Sequence, residues 1–311
     1  MSLLPADVAV SHTSDVDGEV AWLDFGGPSD GPLLVGVHGL GGAAWNWAAL
    51  APLLTDRYRL VAPDLAGHGL TPSAGRPTTV GANRRLLDRW LREVVGEPVV
   101  LLGNSMGGAI SLLQGAAAPE LVRGIVLIDP ALPRPVFARI DPRVAISFAI
   151  ASTPIVGKAV TVRRVRRSGI EAQVRETLRL CTVDIDRIPP RVIEFGIDYA
   201  RARSDDPFAT NDFLTAARSV VRLLARPGPI RRTAAAVDAA GIPVLLLHGE
   251  RDRLVDVAIA KDFAAHRPKW RFEIAPDVGH VPMLEVPDWT AEQIKNWATS
   301  IGRGLSGPTA P

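Results

Sequence analysis

Along the 311 residues, short unbroken apolar runs alternate with stretches in which apolar positions recur every three or four residues. The short runs are rich in β-branched residues and end at Gly, Pro, Asp or His, so they read as strands. They are Glu19–Phe25 (EVAWLDF), Leu33–His38 (LLVGVH), Tyr58–Pro63 (YRLVAP), Val99–Leu102 (VVLL), Gly124–Asp129 (GIVLID), Pro243–His248 (PVLLLH) and Trp270–Ala275 (WRFEIA). A further short one falls near Val8–His12. The three-to-four-residue period predicts helices over Ala43–Leu54, Thr79–Val95, Met106–Ala118, Val257–His266 and Trp289–Ile301. Strands alternating with helices call for right-handed βαβ units and a mostly parallel sheet. No helix separates the first two strands, so the sheet is expected to start with an antiparallel pair.

The alternation stops between Pro130 and Gly241, where no strand pattern occurs and Arg, Ala and helical periodicity dominate. The expected organisation is therefore a core domain over 1–132, a helical insertion over 133–240, and the rest of the core over 241–311.

Composition adds an ordinary balance for a globular chain, 47% hydrophobic and 22% charged. Charge divides unevenly. Residues 131–240 carry 19 Lys and Arg against 11 Asp and Glu, and the remainder carries 16 against 22, so a basic middle is set in an acidic body. Within that middle, VAISFAIASTPIVG (144–157) runs fourteen residues without a charge and VRRVRR (162–167) follows. Fourteen residues, broken by Pro154 and Gly157, fall short of a membrane span. The run reads as a lid helix turning an apolar face to a cleft, and in a second reading as a patch that touches anionic membrane through its arginines. Either reading points to an apolar substrate. Nucleic acid is not an expected partner, because no aromatics interleave with the arginines.

The single cysteine, Cys181, excludes an intrachain disulfide and a cysteine-cluster metal site, and reads as a small buried apolar side chain. The first residues, MSLLPADVAV, lack the basic start of a secretory signal, which makes a cytoplasmic location the expectation.

In a parallel sheet, ligands bind beyond the carboxyl ends of the strands, and four loops at those ends carry chemistry. HGLGG (38–42) follows one strand and GNSMGG (103–108) the next, placing Ser105 on a tight strand-to-helix corner crowded by glycines. HGERD (248–252) brings Asp252, and DVGHVPMLE (277–285) brings His280.

These motifs, in this order, resemble the α/β-hydrolase fold superfamily over nearly the whole chain. Gly103-Asn104-Ser105-Met106-Gly107 matches its nucleophile elbow, and PDLAGHGLT (63–71) resembles the loop after its fourth strand. The resemblance implies a mostly parallel eight-stranded sheet flanked by helices, with an inserted helical cap. It further implies a Ser105–His280–Asp252 triad, with Asp129 as an alternative acid because some relatives carry the acid after the sixth strand. The backbone N–H groups of Leu40 and Met106 would form the oxyanion hole. A serine hydroxyl needs a base within reach, and the base needs a carboxylate to fix its tautomer.

The expected activity is a serine hydrolase, carboxylesterase- or lipase-like, acting on a small apolar ester through an acyl-enzyme and needing no metal or organic cofactor. Carbon–carbon bond hydrolysis of ring-cleavage products is the nearest rival, followed by cofactor-free haloperoxidase or perhydrolase chemistry. A non-catalytic ligand-binding member of the fold is the rival of another class. His38 is expected to buttress the oxyanion loop. Asp64 and His68 are expected to make turn hydrogen bonds, and Trp45 and Trp47 to pack in the core. His12 and His266 carry no functional context.

Overall fold

Val99–Leu102 shows no apolar alternation because both faces of its strand are covered. In the computed structural model, which describes residues 3–133 and 168–301, this run opens a strand buried along its whole length, Val99–Asn104. Val100 and Leu102 pack in one apolar cluster with Leu34, Val126 and Leu245, while Val99 and Leu101 pack in a second with Val35, Ile125 and Leu246. Successive side chains of a strand point to opposite faces, so a continuous apolar run is what a doubly covered strand requires.

The strands are β1 (Val10–Asp15), β2 (Glu19–Asp24), β3 (Leu33–Val37), β4 (Arg59–Pro63), β5 (Val99–Asn104), β6 (Val122–Ile128), β7 (Val244–Gly249) and β8 (Arg271–Ala275). They form one eight-stranded sheet in the order β1-β2-β4-β3-β5-β6-β7-β8. β2 pairs antiparallel with both β1 and β4, and the remaining pairings are parallel. The short strand expected near Val8–His12 is displaced to Val10–Asp15, where VSHTSD forms a largely exposed edge.

Helices α1 (Val80–Trp90), α2 (Met106–Ala117), α7 (Val257–Ala265) and α9 (Pro287–Ser300) lie close to their expected ranges. α1 continues as one wide turn, Leu91–Val95, ended by Gly96 at φ 73. Ala43–Leu54 is not one helix but two tight turns, Ala44–Trp47 and Ala51–Leu53. Pro52 lacks the N–H that a continuous helix would need there, and all four residues of the first turn are buried, which leaves no solvent face. Trp47 is wholly enclosed in the core, and Trp45 packs under Gly196.

Between β6 and β7 the described residues form α3 (Ile170–Cys181), α4 (Pro190–Ala202), α5 (Ala209–Leu224) and α6 (Pro227–Ala239). The apolar run 144–157 and the arginines of 162–167 lie outside the described residues. α6 buries Ile230, Ala234 and Val237 in the same cluster as Ala109, Ile110 and Leu112 of α2, so this part of the insertion packs over α2. Among the described residues, no helix is long and apolar enough to cross a membrane.

Candidate active site

The four chemistry-bearing loops follow parallel strands β3, β5, β7 and β8, so their residues gather at one sheet edge. Ser105 occupies the β5–α2 corner at φ 53 and ψ −115, a backbone conformation that L side chains rarely adopt. Backbone hydrogen bonds hold it there. Ser105 N donates to Ile128 O at 3.0 Å, and Ser105 O accepts from Gly108 N at 3.0 Å and from Ala131 N at 2.9 Å. Gly107 has no side chain because a Cβ would collide with Val37 O.

His280 is buried, and its Nδ1 lies 2.6 Å from Asp252 Oδ2. Nδ1 therefore carries the proton, which leaves Nε2 as the free base. The other Asp252 oxygen accepts from Leu254 N at 2.7 Å and Val255 N at 3.0 Å. Burial alone would raise the Asp252 carboxyl, yet the His280 and His248 rings hold it below the ordinary carboxylate range. Asn104, next to the serine, donates to both Ile128 O and His280 O at 3.1 Å, which joins the elbow directly to the histidine loop. Ser105 is half-buried, and among the described residues its hydroxyl makes no hydrogen bond; catalytic contacts of this type often close only around substrate.

Asp129, the alternative acid, lies at the end of β6 with φ 45 and no solvent exposure. Its Oδ1 accepts from Gly249 N at 2.9 Å, while Oδ2 has no partner. Burial, then the neighbouring Asp252 charge, pushes the Asp129 carboxyl well above the ordinary range. His248 Nε2 donates to Val255 O at 2.8 Å and stands 3.5 Å from both Asp129 and Asp252. Both candidate acids thus reach the same place, and of the two only Asp252 hydrogen-bonds the imidazole. Asp129, Asp252 and His280 also offer donor atoms within 4.8 Å of one another. A metal there would displace the Asp252–His280 bond.

On the other side of the elbow, His38 Nδ1 donates to Gly39 O at 2.8 Å and Nε2 accepts from Leu65 N at 3.0 Å, tying the β3 loop to the β4 loop. Burial, with the neighbouring His68, brings His38 down to about 3. Asp64 accepts from Ala44 N at 2.6 Å and Leu70 N at 2.7 Å, and burial pushes it up to about 7. His68 Nδ1 donates to Ala66 O at 3.1 Å, and burial brings that ring down to about 4. In this framework, a Cβ at Gly39 would stand 3.1 Å from Ser105 Cβ. The N–H groups of Leu40 and Met106 donate to no acceptor among the described residues.

Sequence reasoning missed Asn104, Glu285 and Arg253 as parts of this site. Each lies beside a singled-out residue or inside a quoted motif, but nothing in the pattern says that Glu285 is buried.

The chain matches the model of the alpha/beta hydrolase family over residues 34–293. It is similar to lipase LipV of Mycobacterium tuberculosis, 39% identical over 34% of this chain and 40% of that protein. It therefore spans well under two thirds of LipV. It is also similar to the pimeloyl-[acyl-carrier protein] methyl ester esterase of Aromatoleum aromaticum, 27% identical over 85% of this chain and 97% of the relative. A solved structure of a putative lipase from Acinetobacter baumannii superposes with a TM-score of 0.75 at 20% identity, over 95% of this chain and 92% of that one, and shares the fold.

Proposed function

The chain belongs to the alpha/beta hydrolase family, and from that premise we propose that it is a serine hydrolase that cleaves carboxylic esters through an acyl-enzyme. The reading is carried by one observation: the 2.6 Å Asp252–His280 bond lies in a loop that Asn104 fastens to the Ser105 elbow. Ser105 Oγ attacks the ester carbonyl carbon while its proton passes to His280 Nε2. Asp252 stabilises the imidazolium, and the free N–H groups of Leu40 and Met106 donate to the negative oxygen. The bond to the alcohol then breaks, and the alcohol leaves with the proton from His280. Water repeats the sequence on the acyl-enzyme, adding its oxygen to the acyl carbon and restoring the serine hydroxyl. The lipase and methyl ester esterase relatives support an ester substrate. The uncharged stretch 144–157 supports an apolar acyl or alkyl chain, with the 133–240 insertion as cap.

A fluorophosphonate probe tests the reading. Covalent labelling of wild type that vanishes in Ser105→Ala is expected, together with turnover of p-nitrophenyl esters across a series from acetate to palmitate. Folded wild type that neither labels nor turns over any of these esters overturns it. Turnover of a ring-cleavage diketone in preference to every ester redirects it to carbon–carbon bond hydrolysis.

A further inference from the structure

Glu285 ends the single helical turn α8 (Pro282–Glu285), five residues beyond the imidazole, with its side chain 0% exposed. A buried carboxylate is costly unless donors surround it, and here the donors come from two distant pieces of chain. Oε2 accepts from Gly279 N at 2.9 Å, the residue before His280. Oε1 accepts from Val183 N at 2.9 Å and Asp184 N at 3.1 Å, in the connection between α3 and α4. Arg187 Nη1 stands 3.5 Å from Oε1 and donates to Asp277 O at 2.6 Å.

The same seam is bonded on either side. His280 N donates to Cys181 O at 2.6 Å, and Gly279 lies so close that a Cβ would collide with that oxygen. The Arg253 guanidinium, adjacent to Asp252, donates to Arg179 O and, at 2.6 Å, to Thr182 O. Residues 179–187 of the insertion are thus bonded to the neighbours of both Asp252 and His280. At its centre stands Glu285, meeting N–H donors on both oxygens. An ionised carboxylate accepts on both. The amide of a glutamine would turn an NH2 group toward one set of donors and leave that side unpaired.

We propose that Glu285 is a positioning residue that seats His280 by binding its turn and the α3–α4 connection into one unit; as a catalytic statement this rests on the serine-hydrolase reading above. The insertion and the imidazole then move together or not at all. A displacement of about 1 Å in a reacting group costs on the order of 100-fold in rate.

The test compares wild type with Glu285→Gln. Two readouts are taken: p-nitrophenyl butyrate kinetics, and the low-field proton resonance of His280 Nδ1–H on Asp252. The expected result is a fall in kcat of about 10- to 100-fold with KM within about threefold, and a shifted or broadened resonance. Folded Glu285→Gln with wild-type resonance overturns the proposal, whether or not kcat falls. Should Glu285→Gln fail to fold, Arg187→Met removes only the cation over Oε1 and the clamp on Asp277. It should move the same resonance, and a wild-type resonance there overturns the proposal. If wild type neither labels with phosphonate nor turns over esters, the hydrolase reading falls, and the resonance alone decides whether Glu285 seats the imidazole.

Discussion

Two buried polar clusters stand on either side of Ser105, and they are built in opposite ways. Beyond β3 and β4, His38, Asp64 and His68 bond to backbone groups: Gly39 O, Leu65 N, Ala44 N, Leu70 N and Ala66 O. Beyond β6, β7 and β8, the groups Asp129, His248, Asp252 and His280 face one another, and the shortest bond joins two ionisable side chains. A side chain held by backbone fixes the shape of a loop. Side chains held by each other can exchange a proton. On the proposed hydrolase reading the first cluster is a scaffold and the second a relay, although each is deeply buried and each contains two imidazoles and at least one carboxyl.

The largest test of that contrast is inside the relay. Asp252→Asn removes the charge that fixes the imidazole, and p-nitrophenyl ester kcat should fall about 10⁴-fold. Asp129→Asn keeps the shape of a side chain that does not hydrogen-bond the imidazole, and the same assay should change by less than about tenfold. The reverse ranking would transfer the acid to Asp129.

A smaller effect separates the clusters by pH. The His68 imidazole sits near 4 in the folded protein, below its unfolded value of 6.5. Its neutral form stabilises the fold fully above pH 6.5, and that contribution is lost as pH falls toward 4. At pH 5 the loss is about 2 kcal/mol. Urea denaturation of wild type and His68→Gln at pH 7.5 and pH 5.0 measures it as a double difference, in which the opposite contribution of the raised Asp64 cancels. The variant should lose about 2 kcal/mol less than wild type between the two pH values. Equal losses would mean that the His68 ring takes up its proton without strain.

The relay was more legible in the sequence than the scaffold around it. Ser105, Asp252 and His280 each close a strand that the apolar pattern marks, so topology alone carried them to one edge. The helical reading of Ala43–Leu54 failed because the apolar spacing does not distinguish an amphipathic helix from tight turns buried all round. β1 was placed two to three residues early because an exposed edge strand needs no apolar face to mark its ends. α6 counted with the insertion by sequence, yet only packing reveals that it covers α2. Glu285 was invisible for a related reason: a charged residue reads as surface until its donors are seen, and two of these come from about a hundred residues away.

The elbow has an evolutionary consequence. A non-glycine residue at φ 53 and ψ −115 costs on the order of 1–3 kcal/mol, and glycine would relieve most of it. Ser105→Gly should therefore outlast Ser105→Ala in thermal denaturation by about 1 kcal/mol, although both lack the hydroxyl. Equal melting would show that the turn is relaxed. A lineage released from chemistry could grow sturdier by a single drift to glycine here, so a hydroxyl at this corner runs against the thermodynamic gradient and marks what selection for turnover would have to hold in place.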